Sequence, residues 1–165
     1  HFLYILRYQK VNIFMKRMTK EEFPLSRYRH CYSVGKRMYT YAKEKLHWDE
    51  KHCIEMFVLG NMHDIGYELD PDPFRHDEIL AYGLDSSYKY ANEIRYHSYL
   101  QTAYDTPEMR LLYFGDMTVD GNGNWCTLEE RLKDLGTRHG YNSDVYIESY
   151  KIAEYLKHLG FDDSL

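Results

Sequence analysis

The chain has 165 residues, 44% of them hydrophobic and 28% charged, with a formal net charge of -5. That length suits a single domain able to bury about two thirds of its unfolded surface. The mildly acidic balance argues against a protein that holds nucleic acid through a basic face.

Phe2-Leu3-Tyr4-Ile5-Leu6 is apolar but stops at Arg7, too short a run for a signal-peptide core or a membrane span. Met15-Lys16-Arg17-Met18 reads as a native start. Residues 1–14 are therefore expected to lie outside the fold, with one domain over residues 15–165. The first helical stretch covers about residues 26–47, where Val34, Met38, Ala42 and Leu46 recur at helical spacing and His30 shares their stripe. Trp48-Asp49-Glu50 offers the N-cap of a second helix running through Met62 and ending at His63-Asp64. Asp70-Pro71-Asp72-Pro73 is a turn, and a short helix is expected over residues 74–82. Asp85-Ser86-Ser87 caps the next, with Tyr90, Ile94 and His97 on one face.

Thr106-Pro107 starts a further helix with proline at its first position and Met109, Leu112 and Asp116 turned inward. Asp120-Gly121-Asn122-Gly123-Asn124 is a tight polar loop. Thr127-Leu128-Glu129-Glu130 fits a capping box, opening a helix that holds Leu128, Leu132 and Leu135 and ends near Gly140. Asn142-Ser143-Asp144 begins the last helix, to about His158, with Gly160 beyond it. About seven helices and no strand make this an all-α bundle. The three cysteines, Cys31, Cys53 and Cys126, form no CxxC pair and are expected as free thiols in a reducing cytoplasm.

The polar residues inside this apolar pattern carry the chemistry. His63-Asp64-Ile65-Gly66 closes an apolar helix, and a buried histidine beside a buried aspartate needs partners. A metal ion suits both an imidazole nitrogen and a carboxylate oxygen; a capped helix end with a satisfied histidine is the other reading of the dipeptide. His30 and Asp116 join the pair on the inward faces of separate helices. Asp120 is a rival for Asp116, which is preferred because Gly115 lets its backbone approach a neighbouring helix while Asp120 falls in the turn.

Arg27-Tyr28-Arg29-His30, then His63-Asp64-Ile65-Gly66, then Gly115-Asp116, in an all-α chain, resemble the HD phosphohydrolase superfamily over most of the chain. The layout is similar to that of the small bacterial hydrolases of symmetrical diadenosine tetraphosphate. The resemblance implies that His30, His63, Asp64 and Asp116 hold a metal inside the bundle, with Asp64 and His63 central to catalysis. His76 and His97 fall in the order in which two-metal members place extra histidines, with Asp64 then bridging both ions; substrate contacts beside a single ion are the alternative for these two. One or two divalent or trivalent transition-metal ions are implied, iron or manganese favoured over magnesium, which prefers oxygen ligands. Such an ion lowers the pKa of bound water from about 15.7 toward 7 and supplies hydroxide for attack on phosphorus.

Arg27 and Arg131 are the expected substrate contacts, through their fork of donors, with a contact to a carboxylate of the centre the other reading for Arg27. Lys36 and Arg138 are weaker candidates, and solvated helix faces are the other reading for Lys36, Arg131 and Arg138. His47, His52, His139 and His158 read as surface residues. Many members of the superfamily carry lysine where this chain has Tyr67, so the grip on phosphate is expected to differ. The implied activity is hydrolysis of a phosphoester or phosphoanhydride in a nucleotide or dinucleotide, by a cytoplasmic monomer or homodimer that binds neither nucleic acid nor membrane. Alternatives are a mononuclear 5'-deoxynucleotidase, a non-catalytic nucleotide sensor on the same fold, and a helical interaction domain whose histidines are all core or surface.

Overall fold

The computed structural model describes residues 25–84 and 87–164, and their regular elements are helical: α1 (Leu25–Glu44), α2 (Glu50–Met62), α3 (His76–Leu84), α4 (Ala91–Tyr96), α5 (Pro107–Met117), α6 (Leu128–His139) and α7 (Asp144–His158). A short 3-10 turn, Ile65–Glu68, joins α2 to α3. The expected all-α bundle is therefore what forms. The expectations for residues 1–14 and for the Asp85-Ser86 cap lie outside the described residues.

Helix α1 buries Val34, Met38 and Ala42 completely, as their spacing requires. It stops at Glu44 rather than near residue 47. The amides of Lys45 and Leu46 both turn back to the Tyr41 carbonyl, and Trp48 N–H donates to the Ala42 carbonyl. His47 takes a left-handed φ of 55° at this corner, a conformation open to few side chains other than glycine. Asp49 then caps α2 by accepting the His52 amide at 2.9 Å.

The two long helices touch through backbone. A Cβ added to Gly60 of α2 would lie 2.6 Å from both Cα and N of Gly35 in α1. This close approach brings the start of α1 beside the end of α2, and the His30 and His63 rings stand 5.5 Å apart. Helix α5, opened by Thr106 accepting the Met109 amide, lays Gly115 against Met38, where a Cβ would meet Met38 Cγ at 2.6 Å. The three helices enclose Met38, Leu59, Leu111, Leu112 and Phe114, all fully buried.

Helices α6 and α7 form a hairpin over this core. Thr127 and Glu130 make the reciprocal capping box at the start of α6, and Ser143 caps α7 by accepting the Tyr146 amide. Gly140 and Gly160, both at positive φ, follow the two helices. Beyond α7 the chain returns to the core, where Phe161 stacks on Tyr41 at 5.3 Å and on Phe114 at 5.1 Å. Between α5 and α6 an isolated bridge, Val119 with Trp125, closes the polar loop; no sheet forms among the described residues. Cys31 and Cys53 are buried free thiols, and Cys126 is a half-buried one. Among the described residues no helix is long and apolar enough to cross a membrane.

Candidate metal centre

Six side chains from separate elements converge at one end of the bundle. His30 comes from α1, His63 follows the last residue of α2, and Asp64 leads into the 3-10 turn. His76 opens α3, His97 follows α4, and Asp116 is the last but one residue of α5. Asp64 lies at the middle: its Oδ1 is 3.2 Å from His76 Nε2, 3.3 Å from His97 Nε2 and 3.6 Å from His63 Nε2. Its Oδ2 is 4.0 Å from His30 Nε2. Asp116 Oδ1 lies 3.0 Å from His30 Nε2 and 3.7 Å from His63 Nε2. All six residues proposed from the sequence as metal ligands are thus brought together.

The opposite nitrogen of each imidazole is fixed by backbone. Nδ1 of His30 faces the Asp120 carbonyl at 2.9 Å, that of His63 the Gly60 carbonyl at 2.6 Å, that of His76 the Asp72 carbonyl at 3.2 Å and that of His97 the Ile94 carbonyl at 2.6 Å. A carbonyl oxygen can only accept, so Nδ1 is the protonated nitrogen. In a neutral ring Nε2 is then a lone-pair acceptor, and here all four Nε2 atoms point at carboxylate oxygens, which are acceptors too. Acceptors facing acceptors in a buried space call for a cation between them. His63 Nε2 is the clearest instance, fully buried with no hydrogen-bond partner.

Two sets of donor atoms, His30-His63-Asp116 and His63-Asp64-His97, each lie within 4.8 Å of one another. Such buried histidine and aspartate clusters can hold a metal ion, and the mixture of imidazole and carboxylate suits a first-row transition metal. His76 adjoins the second set through Asp64.

Electrostatics agree with that geometry. Burial pushes the Asp64 carboxyl up, but the His63 charge and hydrogen bonds from His76 and His97 outweigh it and hold Asp64 well below the usual carboxylate range. Asp116 behaves alike: burial is overcome by His30 and the nearby His63 ring. Burial alone would lower His97, yet its hydrogen bond to Asp64 and the charge of Asp77 push it up to about 9.

Asp77 is a residue the sequence reading passed over. It is fully buried, its Oδ2 is unpartnered and that oxygen lies 4.0 Å from His97 Nδ1. The available clue was that His76-Asp77 is a second His-Asp dipeptide in the chain. Asp120 is a turn residue, as expected, with its carboxylate accepting the amides of Asn122 and Asn124. Its backbone carbonyl nevertheless reaches the centre through His30.

A cleft of about 570 Å³ opens onto Asp64, His76, His97 and Asp116. Arg27 Nη1 donates to Asp64 Oδ2 at 2.9 Å. Arg131 Nη2 lies 3.6 Å from Asp116 Oδ1, and its Nη1 donates to Asp134 at 2.8 Å. Arg131 is buried, which sets aside the solvated-face reading for it. Arg138 and His139 are exposed but line the rim of the same cleft. Away from the acids the wall turns apolar, with Pro71, Pro73, Phe74, Leu135, Val145 and Ile152. Lys36 is exposed, with its ammonium over the Tyr32 ring. His47 and His158 are exposed as expected. His52 departs from its surface reading: it is half-buried, stacked on Trp48 at 4.1 Å with Nε2 3.0 Å from Glu108 of α5.

No protein-family model, curated protein or solved structure matches this chain.

Proposed function

We propose that this protein is a metal-dependent phosphohydrolase of the HD type, acting on a phosphoester or phosphoanhydride of a nucleotide or dinucleotide. One observation carries the reading: four imidazoles turn their Nε2 atoms toward two carboxylates, and the buried Nε2 of His63 has no hydrogen-bond partner. In this reading His30, His63, Asp64 and Asp116 hold one ion, and His76 and His97 share Asp64 toward a second. The approach of both His76 and His97 to the same Asp64 oxygen favours two ions over one. Iron or manganese is favoured by the count of imidazoles. Ions bound there would supply water of lowered pKa and offset charge on phosphoryl oxygens.

The chain's own groups fit the remaining tasks. Arg27 and Arg131 lie beside the acids with donors suited to phosphate oxygens. The apolar wall of Phe74, Pro71, Pro73, Val145 and Ile152 offers a dry face for the uncharged, planar part of a nucleotide. His63 is fully buried behind Asp64, which lines the cleft.

The test is to purify the protein, load it with iron or manganese, and follow phosphate release from deoxynucleoside monophosphates and nucleotide release from symmetrical dinucleoside polyphosphates. Turnover lost together with bound metal in Asp64→Ala is the expected result. Metal and turnover both retained in that variant would sink the proposal.

A further inference from the structure

Tyr67 stands in the cleft between two functional groups. On one face, the Arg27 guanidinium carbon lies 3.8 Å from the ring centroid. On the other, the His76 imidazole stacks at 3.7 Å between centroids with only 17° between the planes. The result is a three-layer stack of guanidinium, phenol and imidazole, each outer layer also reaching Asp64: Arg27 at Oδ2 and His76 at Oδ1.

Backbone fixes the middle layer. Tyr67 N–H donates to the Asp64 carbonyl at 3.2 Å inside the 3-10 turn. The preceding Gly66 is pressed against the start of α3, where a Cβ would fall 2.0 Å from the His76 carbonyl oxygen. The ring therefore has little freedom to leave the His76 face.

The stack matters because Asp64 is oversubscribed. Any cation that Asp64 helps to hold competes with Arg27 for the same carboxylate, and like charges drawn to one acid repel each other. An aromatic face attracts a guanidinium without drawing on that acid. With Asp64 turned to an ion, the Tyr67 face is what keeps Arg27 in the cleft. A guanidinium has five N–H donors, and one donates to Asp64 here.

Building on the phosphohydrolase reading, we propose that Tyr67 is a positioning residue: it holds Arg27 as the phosphate-gripping group of the cleft. The grip that a lysine at position 67 would supply directly passes to Arg27, held from below by the ring.

The experiment uses the metal-loaded full chain and inorganic phosphate as probe, with phosphate affinity read by calorimetry and ions per chain by elemental analysis. Tyr67→Phe keeps the face and should bind phosphate within about twofold of the parent, whereas Tyr67→Leu should lose about tenfold, the weight of one cation–π contact. Arg27→Ala should lose at least as much. The deciding readout is the double variant: Tyr67→Leu in an Arg27→Ala background should cost nothing further, because Tyr67 acts through Arg27. Equal losses from Tyr67→Leu in both backgrounds, no loss at all in Tyr67→Leu, or a tenfold loss in Tyr67→Phe would each overturn the proposal while leaving the phosphohydrolase reading standing. A parent protein that takes up no metal and no phosphate would overturn both.

Discussion

Nε2 of His63 lies 3.7 Å from Oδ1 of Asp116 and is bonded to nothing. A fully buried nitrogen facing an acid, with its other nitrogen committed to the Gly60 carbonyl at 2.6 Å, is costly unless a cation completes it. The Nε2 atoms of His30, His76 and His97 face the same two carboxylates at 3.0, 3.2 and 3.3 Å.

The number of ions per chain follows from which oxygen each ligand shares. Asp64 adjoins every histidine of the centre, so Asp64→Ala should empty it. His76→Ala or His97→Ala should remove about one ion and leave the set of His30, His63, Asp64 and Asp116 able to hold the other. Elemental analysis of the three variants beside the parent checks this; equal metal content in all four would contradict it.

Acidity should act on the metal-free and metal-loaded forms in opposite ways. His97 in the folded, metal-free chain is raised to about 9, above its unfolded value of about 6.5. Its contribution to stability is complete below about pH 6.5 and is lost as pH rises through about 9. Asp64 and Asp116 are lowered, so theirs is present above the ordinary carboxylate range and is lost as acid protonates them. Chelator-treated protein should therefore melt at lower temperature as pH climbs from 6.5 to 9. Metal binding must displace the His97 proton, so affinity should rise over that same window. Melting curves with and without chelator, together with proton release on metal addition, provide the check, and a flat profile for the chelated protein would refute it.

Gly66→Ala should damage both fold and centre. The added carbon would sit 2.0 Å from the His76 carbonyl oxygen and 2.7 Å from its carbon, and backbone cannot yield as a side-chain tip can. A loss of about 1–3 kcal/mol in denaturant unfolding is expected, with fewer ions bound because His76 is displaced. Unchanged stability and metal content would show that α3 moves freely.

At the start of α6, Thr127 and Glu130 satisfy each other's free amides at 3.2 and 2.8 Å. Thr127→Ala should cost about 1 kcal/mol, whereas Thr127→Ser should be near neutral. Because α6 carries Arg131, the alanine variant should also weaken phosphate binding more than metal binding. Chemical denaturation and calorimetry separate the two effects.

Local rules account for what could be read from the sequence. The caps at Asp49, Thr106, Thr127 and Ser143 all form, because each depends on a side chain and an amide within a few residues. The inward stripe of α1 held for the same reason, and with it the position of His30. Helix α1 ends at Glu44, short of the expected residue 47, and nothing in its periodicity marks His47 as the residue that turns left-handed. The short helix after the proline turn starts at His76 rather than residue 74, since Asp72 accepts the Phe74 amide and keeps the turn open. The surroundings of Arg131, Tyr67 and Asp77 could not be read locally. Arg131 meets Asp116 across two helices, the ring of Tyr67 meets Arg27 across three elements, and Asp77 meets His97 across the α3–α4 junction. Only the fold decides which of the chain's charged and aromatic side chains share a cleft.

The hydrogen bond from His30 to the Asp120 carbonyl has a reach beyond the centre itself. That carbonyl belongs to a surface turn whose shape is set by Asp120, Asn122 and Asn124, and by Gly123 lying against the backbone of Arg29. How strongly the imidazole donates electrons therefore depends on residues that never face the cleft. Variation in that exposed loop would reach the buried cluster through His30 without changing one of its six side chains.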